Sequence, residues 1–149
     1  MNALTQMSAM TGLEQLRAIF DGRAGYDGIV QTLGLKPVSA EEGFVVFEGN
    51  PTKAVYNPIG SVHGGYAATL LDTVMGCAVH SRMKVGQGYT TLELKIAYHR
   101  ALKDTSGSVR AEGRVISVGK RAAFAEGELF DKDGTLCATA TTTCLVFGS

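Results

Sequence analysis

Two hydrophobic periods alternate along this chain, and the points where one gives way to the other mark its elements. Leu13, Leu16, Ile19 and Phe20 recur at helical spacing and predict a short amphipathic helix over about 12–21, with DGIVQTLG adding another turn or two. From Gly34 the pattern turns extended. LGLKPVSAEEGFVVFEGN reads as two short strands hinged at AEEG, where a glycine supplies the positive φ that a tight turn favours. Residues 62–83 then form one long apolar run, the length of a buried helix. It closes on Arg82, Met83 and Lys84 followed by Gly86 and Gly88, the cation-then-glycine signature of a helix C-terminus.

Beyond that helix the period falls to two. TTLELKIAYHRAL places Leu92, Leu94, Ile96 and Tyr98 on one face and Glu93, Lys95 and His99 on the other, as in a half-buried strand. GSVRAEGRVISVG, KRAAFAEGELFDKDG and TLCATATTTCLVFG continue the alternation, with DKDG as a hairpin turn. The layout predicts an α+β fold in which one antiparallel β-sheet wraps a long central helix. No internal repeat, low-complexity segment or linker interrupts it, so residues 1–149 read as a single domain with about 1–32 as an N-terminal helical extension.

Composition narrows the function. At 149 residues the chain suits one core. Its 14 basic and 14 acidic side chains cancel without any block of like charge, which removes the broad electrostatic footprint of a nucleic-acid or anionic-membrane binder. The N-terminal residues lack the basic start and continuous apolar core of a signal peptide. The 62–83 segment holds His63, Asp72, His80 and Arg82; a central Asp alone would cost roughly 2.5–3.5 kcal/mol in a membrane span, so a core helix is the better reading. Three cysteines without CxxC spacing and three dispersed histidines give neither a disulfide framework nor a metal site. A cytoplasmic protein with reduced thiols is expected.

The stretch VYNPIGSVHGGYAATLLD carries the candidate chemistry. The pattern N-P-x-G-x-x-H-G-G-x-x-A-T-L-L-D, together with the element order over about residues 30–147, resembles the hotdog-fold acyl-CoA thioesterases of the phenylacetate-pathway type. The resemblance implies that Gly64 starts the central helix and offers its N–H to the thioester carbonyl oxygen, and that Asp72 acts as nucleophile or general base. Asn57 would hold the attacking water or the thioester, and His63 would shape the helix entrance. A hydroxyl at the start of the next strand would assist. Alignment with the family strand points to Thr91, whereas the two-residue period puts Thr90 in phase with Leu92 and Leu94. Arg100, Lys103, Gly119, Lys120 and Arg121 correspond to segments that touch coenzyme A, which enters as part of the substrate; no cofactor is implied. The resemblance implies a homodimer or homotetramer.

The chemistry asks for such residues independently. Thioester hydrolysis needs a stabilised oxyanion, an activated oxygen nucleophile and a site for the thiol leaving group. A glycine at a helix N-terminus offers free N–H groups and no Cβ to block approach. Asp72 is the only carboxylate between Glu48 and Glu93, amid Leu70, Leu71, Val74 and Met75, where a low dielectric would raise its basicity. Eight residues of helix separate Gly64 and Asp72 by about 12 Å, too far for both to reach one carbonyl group. Two antiparallel helices across a two-fold axis bring them together. The plainer alternatives are an Asp72 that pairs with His80 for structure and a Lys120–Arg121 turn that is merely solvated. The rival functions are a hotdog hydratase or dehydratase, which needs a histidine opposite the acid, and a non-catalytic acyl-CoA-binding module.

Overall fold

A computed structural model of the protein describes residues 7–25 and 27–149; residues 1–6 and Tyr26 of the N-terminal extension lie outside the described residues. Helix α1 spans Gly12–Phe20. Thr11 caps it reciprocally with Glu14: the Thr11 N–H donates to Glu14 Oε2 at 2.7 Å while the Glu14 N–H reaches Thr11 Oγ1 at 3.4 Å. The helix buries Leu16 and Ala18, and Phe20 meets Phe47 edge-on at 5.3 Å. Gly12 packs against the His80 carbonyl so closely that a Cβ there would overlap it, and its N–H donates to the Met83 carbonyl at 3.0 Å. The predicted extra turn is the short helix α2, Ile29–Thr32.

Six strands follow: β1 Lys36–Glu41, β2 Phe44–Gly49, β3 Gln87–Tyr98, β4 Val109–Val118, β5 Ala122–Phe130 and β6 Leu136–Gly148. All pairings are antiparallel, and the sheet order is β1-β2-β4-β5-β6-β3. The long helix α3, Gly64–His80, lies against the inner face of this sheet. Two glycines bring it close. A Cβ on Gly113 of β4 would overlap the Val74 carbonyl of the helix backbone, and Gly127 of β5 faces Leu71 and Met75. Leu70, Leu71, Val74, Met75 and Val79 are thereby fully enclosed. The C-terminus of α3 is tied to the β1–β2 turn, where Ser81 Oγ accepts the Gly43 N–H at 2.7 Å and donates to the Ala78 carbonyl at 2.6 Å. The α+β class and the wrapped helix are those predicted.

The expected face of β3 needs a correction at its start. Its register against β6 slips between Thr91 and Glu93, so Leu92 is a bulged residue and is 60% exposed. A bulge inserts one residue and inverts the side-chain phase on one side of it. Tyr89 and Thr91 therefore share the inner face with Leu94 and Ile96, and Leu92 does not. Phase had favoured Thr90; the bulge places Thr91 inward.

Candidate active site

The apolar neighbours of Asp72 in sequence are not its neighbours in space. Leu70, Leu71, Val74 and Met75 point into the sheet, while Thr69, Asp72, Thr73 and Cys77 form a half-buried stripe on the opposite side of α3. Asp72 thus stands half-buried on the helix face that the sheet leaves uncovered. Thr91 comes over that face from β3 and donates its Oγ1 hydrogen to Asp72 Oδ1 at 3.0 Å. Such a bond favours the carboxylate as acceptor and fixes its rotamer. Cys77 lies within the same stripe. Burial, reinforced by the Asp72 charge, pushes its thiol up to about 12, so it is no nucleophile at neutral pH.

At the other end of α3, His63 is the N-cap. Its Nδ1 accepts the Gly65 N–H at 2.8 Å, which leaves the neutral ring's proton on Nε2, turned outward. Gly64 is the first helical residue, and its N–H has no acceptor within the helix. Tyr98 is a residue that the sequence placed only on a strand face. Its hydroxyl donates to the Gly64 carbonyl at 2.8 Å, and a Cβ on Gly64 would come within 2.9 Å of the Tyr98 hydroxyl. A side chain at 64 would push the Tyr98 hydroxyl off that carbonyl. The signal for Tyr98 was its place in phase with Leu94 and Ile96, seven residues beyond Thr91.

Asn57 shapes the loop before the helix. Its Oδ1 accepts the N–H groups of Ile59 and Ser61 at 3.1 and 3.2 Å, and its Nδ2 donates to Ser61 Oγ at 3.1 Å. One amide hydrogen remains for a ligand. Tyr56 pins the same loop by donating to Asp104 Oδ1 at 2.7 Å. A cavity of about 290 Å³ opens beside these groups, lined by His63, Gly64, Tyr98, His99 and Arg100 among others. His99 is engaged with Thr139 at 2.8 Å and His80 with Gln15 at 2.8 Å, so neither faces Asp72.

Within one chain the predicted basic residues divide between two ends of the sheet. Arg100 and Lys103 follow β3 at the Gly64 end. Gly119, Lys120 and Arg121 form the β4–β5 turn, whose flanking Ala123 pairs with Cys144 and, through it, lies level with Thr91. The Val146 N–H donates to the Arg121 carbonyl and the Arg100 N–H to the Cys137 carbonyl, so the two groups stand about nine strand residues apart, roughly 30 Å. All four cations are exposed. Gly64 and Asp72 likewise stand one half-helix apart within the chain.

One antiparallel sheet wrapped round a single long helix, with a glycine at the helix start and an acid two turns on, defines a hotdog-fold enzyme. The chain belongs to the Thioesterase superfamily, whose family model matches residues 59–138, and is a thioester hydrolase of the phenylacetate-type branch. It is 29% identical over 120 residues to the proofreading thioesterase EntH of Klebsiella pneumoniae, covering 80% of this chain and 86% of that one. It is 28% identical over 116 residues to the 1,4-dihydroxy-2-naphthoyl-CoA hydrolase of Listeria monocytogenes, covering 77% and 93%. The crystal structure of a phenylacetic acid degradation-related putative thioesterase from Ralstonia eutropha superposes with a TM-score of 0.78 at 30% identity, over 87% of this chain and 97% of that one. Among the described residues no helix is long and apolar enough to cross a membrane.

Proposed function

We propose that the protein hydrolyses acyl-CoA thioesters at a site shared between two antiparallel copies of the chain. The observation that carries this reading is the Thr91–Asp72 hydrogen bond on the uncovered face of α3. A hydroxyl-oriented carboxylate facing away from its own core, about 12 Å from its own Gly64, is a half-site awaiting a partner. In a two-fold dimer Gly64 and Asn57 of one subunit face Asp72 and Thr91 of the other. The carbonyl oxygen is held by the Gly64 N–H at the positive end of the helix. Asp72 then attacks the carbonyl carbon directly, or removes a proton from the water that does, and the thiolate of coenzyme A departs.

The same symmetry explains the divided cations. Arg100 and Lys103 of one subunit come alongside Lys120 and Arg121 of the other, which makes one basic rim for the phosphates of coenzyme A. The Listeria relative acts on a coenzyme A thioester by name, which supports that leaving group. The reading uses no metal or redox cofactor, and coenzyme A enters only with the substrate. Within its own chain Asp72 has no histidine partner, because His63 caps the helix, His80 bonds Gln15 and His99 bonds Thr139.

The test is release of free thiol from a panel of acyl-CoA substrates. Asp72→Asn should lower turnover by at least about a hundredfold, the scale of a lost general base or nucleophile, with the far-ultraviolet spectrum unchanged. A folded variant of near-normal turnover removes Asp72 from the mechanism, and absence of thiol release by the wild type removes the acyl-CoA reading itself.

A further inference from the structure

Three N–H groups open α3, and two of them are already engaged. The Gly65 N–H donates to His63 Nδ1 at 2.8 Å and the Tyr66 N–H to the His63 carbonyl at 2.9 Å. Among the described residues the Gly64 N–H alone of the three meets no acceptor. The His63 carbonyl and the Gly64 N–H belong to one trans peptide unit and point in opposite directions. The Tyr66 bond, made only while the first turn is helical, therefore turns the Gly64 N–H outward. That turn begins with two consecutive glycines, the residues with the most backbone freedom to lose, so it is the part of α3 readiest to fray.

Two rings hold it. The peptide unit between Gly64 and Gly65 is bonded at both ends: its N–H donates to His63 Nδ1, and its carbonyl accepts the Tyr98 hydroxyl at 2.8 Å. Each glycine lies bare beneath one of these rings. A Cβ on Gly64 would come within 2.9 Å of the Tyr98 hydroxyl, and one on Gly65 within 2.9 Å of His63 Nδ1. The His63 ring is local to the helix and frays with it, whereas Tyr98 is anchored elsewhere. Tyr98 pairs with Ala138 of β6. The chain beyond it is tied down by the His99 and Arg100 N–H groups, which donate to the Cys137 carbonyl at 2.8 and 3.0 Å, and by the Leu102 carbonyl, which accepts the Val62 N–H at 3.0 Å. The Tyr98 hydroxyl thus fastens the helix start to the sheet. Its single hydrogen is committed to the Gly64 carbonyl, so Tyr98 reaches a ligand only through the glycine turn.

We infer that Tyr98 is a positioning residue for the oxyanion donor: its hydroxyl clamps the Gly64–Gly65 peptide to the sheet and thereby keeps the Gly64 N–H aimed at the thioester carbonyl oxygen. The inference rests on the proposed hydrolysis. An N–H fixed in advance stabilises the developing oxyanion without reorganising, whereas a frayed glycine turn has to be re-ordered in the transition state. Loss of the clamp falls on kcat, because the charge that the N–H serves grows only there.

Tyr98→Phe keeps the ring and removes the hydroxyl. Two quantities are measured on the full chain: kcat and KM for thiol release from an acyl-CoA that the wild type hydrolyses, and backbone hydrogen exchange by mass spectrometry in peptides covering 63–69 and 72–80. The expected result is a fall in kcat of about fivefold to tenfold, the worth of one net hydrogen bond, with KM within about twofold. Exchange should quicken over 63–69 and stay unchanged over 72–80. An unchanged kcat, a loss confined to KM, or a fall in kcat without faster exchange at the helix start overturns the inference and leaves the acyl-CoA reading intact; the last of these would mean that Tyr98 meets the substrate directly. A wild type that releases no thiol from any acyl-CoA overturns both.

Discussion

Replacing Thr91 by valine removes one hydroxyl at nearly constant volume, which isolates the bond that orients Asp72. That bond runs from Thr91 Oγ1 to Asp72 Oδ1 at 3.0 Å, with both residues half-buried. A hydrogen bond to a charged group contributes about 1.5–3 kcal/mol net. The half-exposed setting argues for the lower part of that range, because water can replace the lost donor. At about 1.36 kcal/mol per decade of rate, 1.5–2 kcal/mol is a fall of about tenfold to thirtyfold in kcat. The bulge at Leu92 supplies the control: Thr90 is exposed and faces away from α3, so Thr90→Val should stay within about twofold of wild type. Initial rates of thiol release with saturating acyl-CoA measure both. A Thr91→Val enzyme within twofold of wild type, or a Thr90→Val enzyme as impaired as Thr91→Val, would refute the geometry and the phase inversion behind it.

The proposed two-chain site makes its own test: mixing Asp72→Asn with Asn57→Ala under subunit exchange should restore activity, approaching half that of wild type per mixed dimer, whereas demonstrated exchange without rescue means that each chain holds a whole site. Gly113→Ala puts a methyl group into the Val74 carbonyl, so a loss of about 1–3 kcal/mol is expected. For a chain of this size that lowers Tm by roughly 3–10 °C in a thermal melt, and an unchanged Tm would mean that α3 does not rest on β4. Burial holds the His80 pKa below its ordinary value. The unfolded chain therefore takes up its proton first, near pH 6.5, and stability present above that pH is lost as pH falls. Melts at pH 7.5 and 5.5 should show a smaller Tm drop for His80→Gln than for wild type; equal drops would exclude His80 as the source.

The helix and the strands were legible because their apolar periods are strong: α3 falls inside the 62–83 run and β4 to β6 inside their alternating stretches, while β3 begins at Gln87, three residues before the stretch that announced it. The turn at AEEG and the hairpin at DKDG were legible for a local reason. Gly43 and Gly134 adopt positive φ, and Asp131 Oδ1 accepts the N–H groups of Asp133 and Thr135 within its own turn. The motif residues at 57, 63, 64 and 72 were legible because their spacing is fixed along one loop and one helix. What pattern could not carry was anything set by pairing across the chain. Strand order places β3 beside β6 at the sheet edge, a choice of long-range partners that period two leaves open. The bulge at Leu92 decides between Thr90 and Thr91, and it exists only as a mismatch between two strands. Asp72 was read as buried because Leu70, Leu71, Val74 and Met75 surround it in sequence. The sheet covers only one side of α3, and a helix turns residues one or two apart by about 100° and 200°, so Leu70, Leu71 and Val74 enter the core, with Met75 at the edge of that face, while the acid stays on the open side. The split of Arg100 and Lys103 from Lys120 and Arg121 follows from the same cause: where a residue stands along a strand comes from sequence, but which end of the sheet it shares with another is decided only when the strands pair.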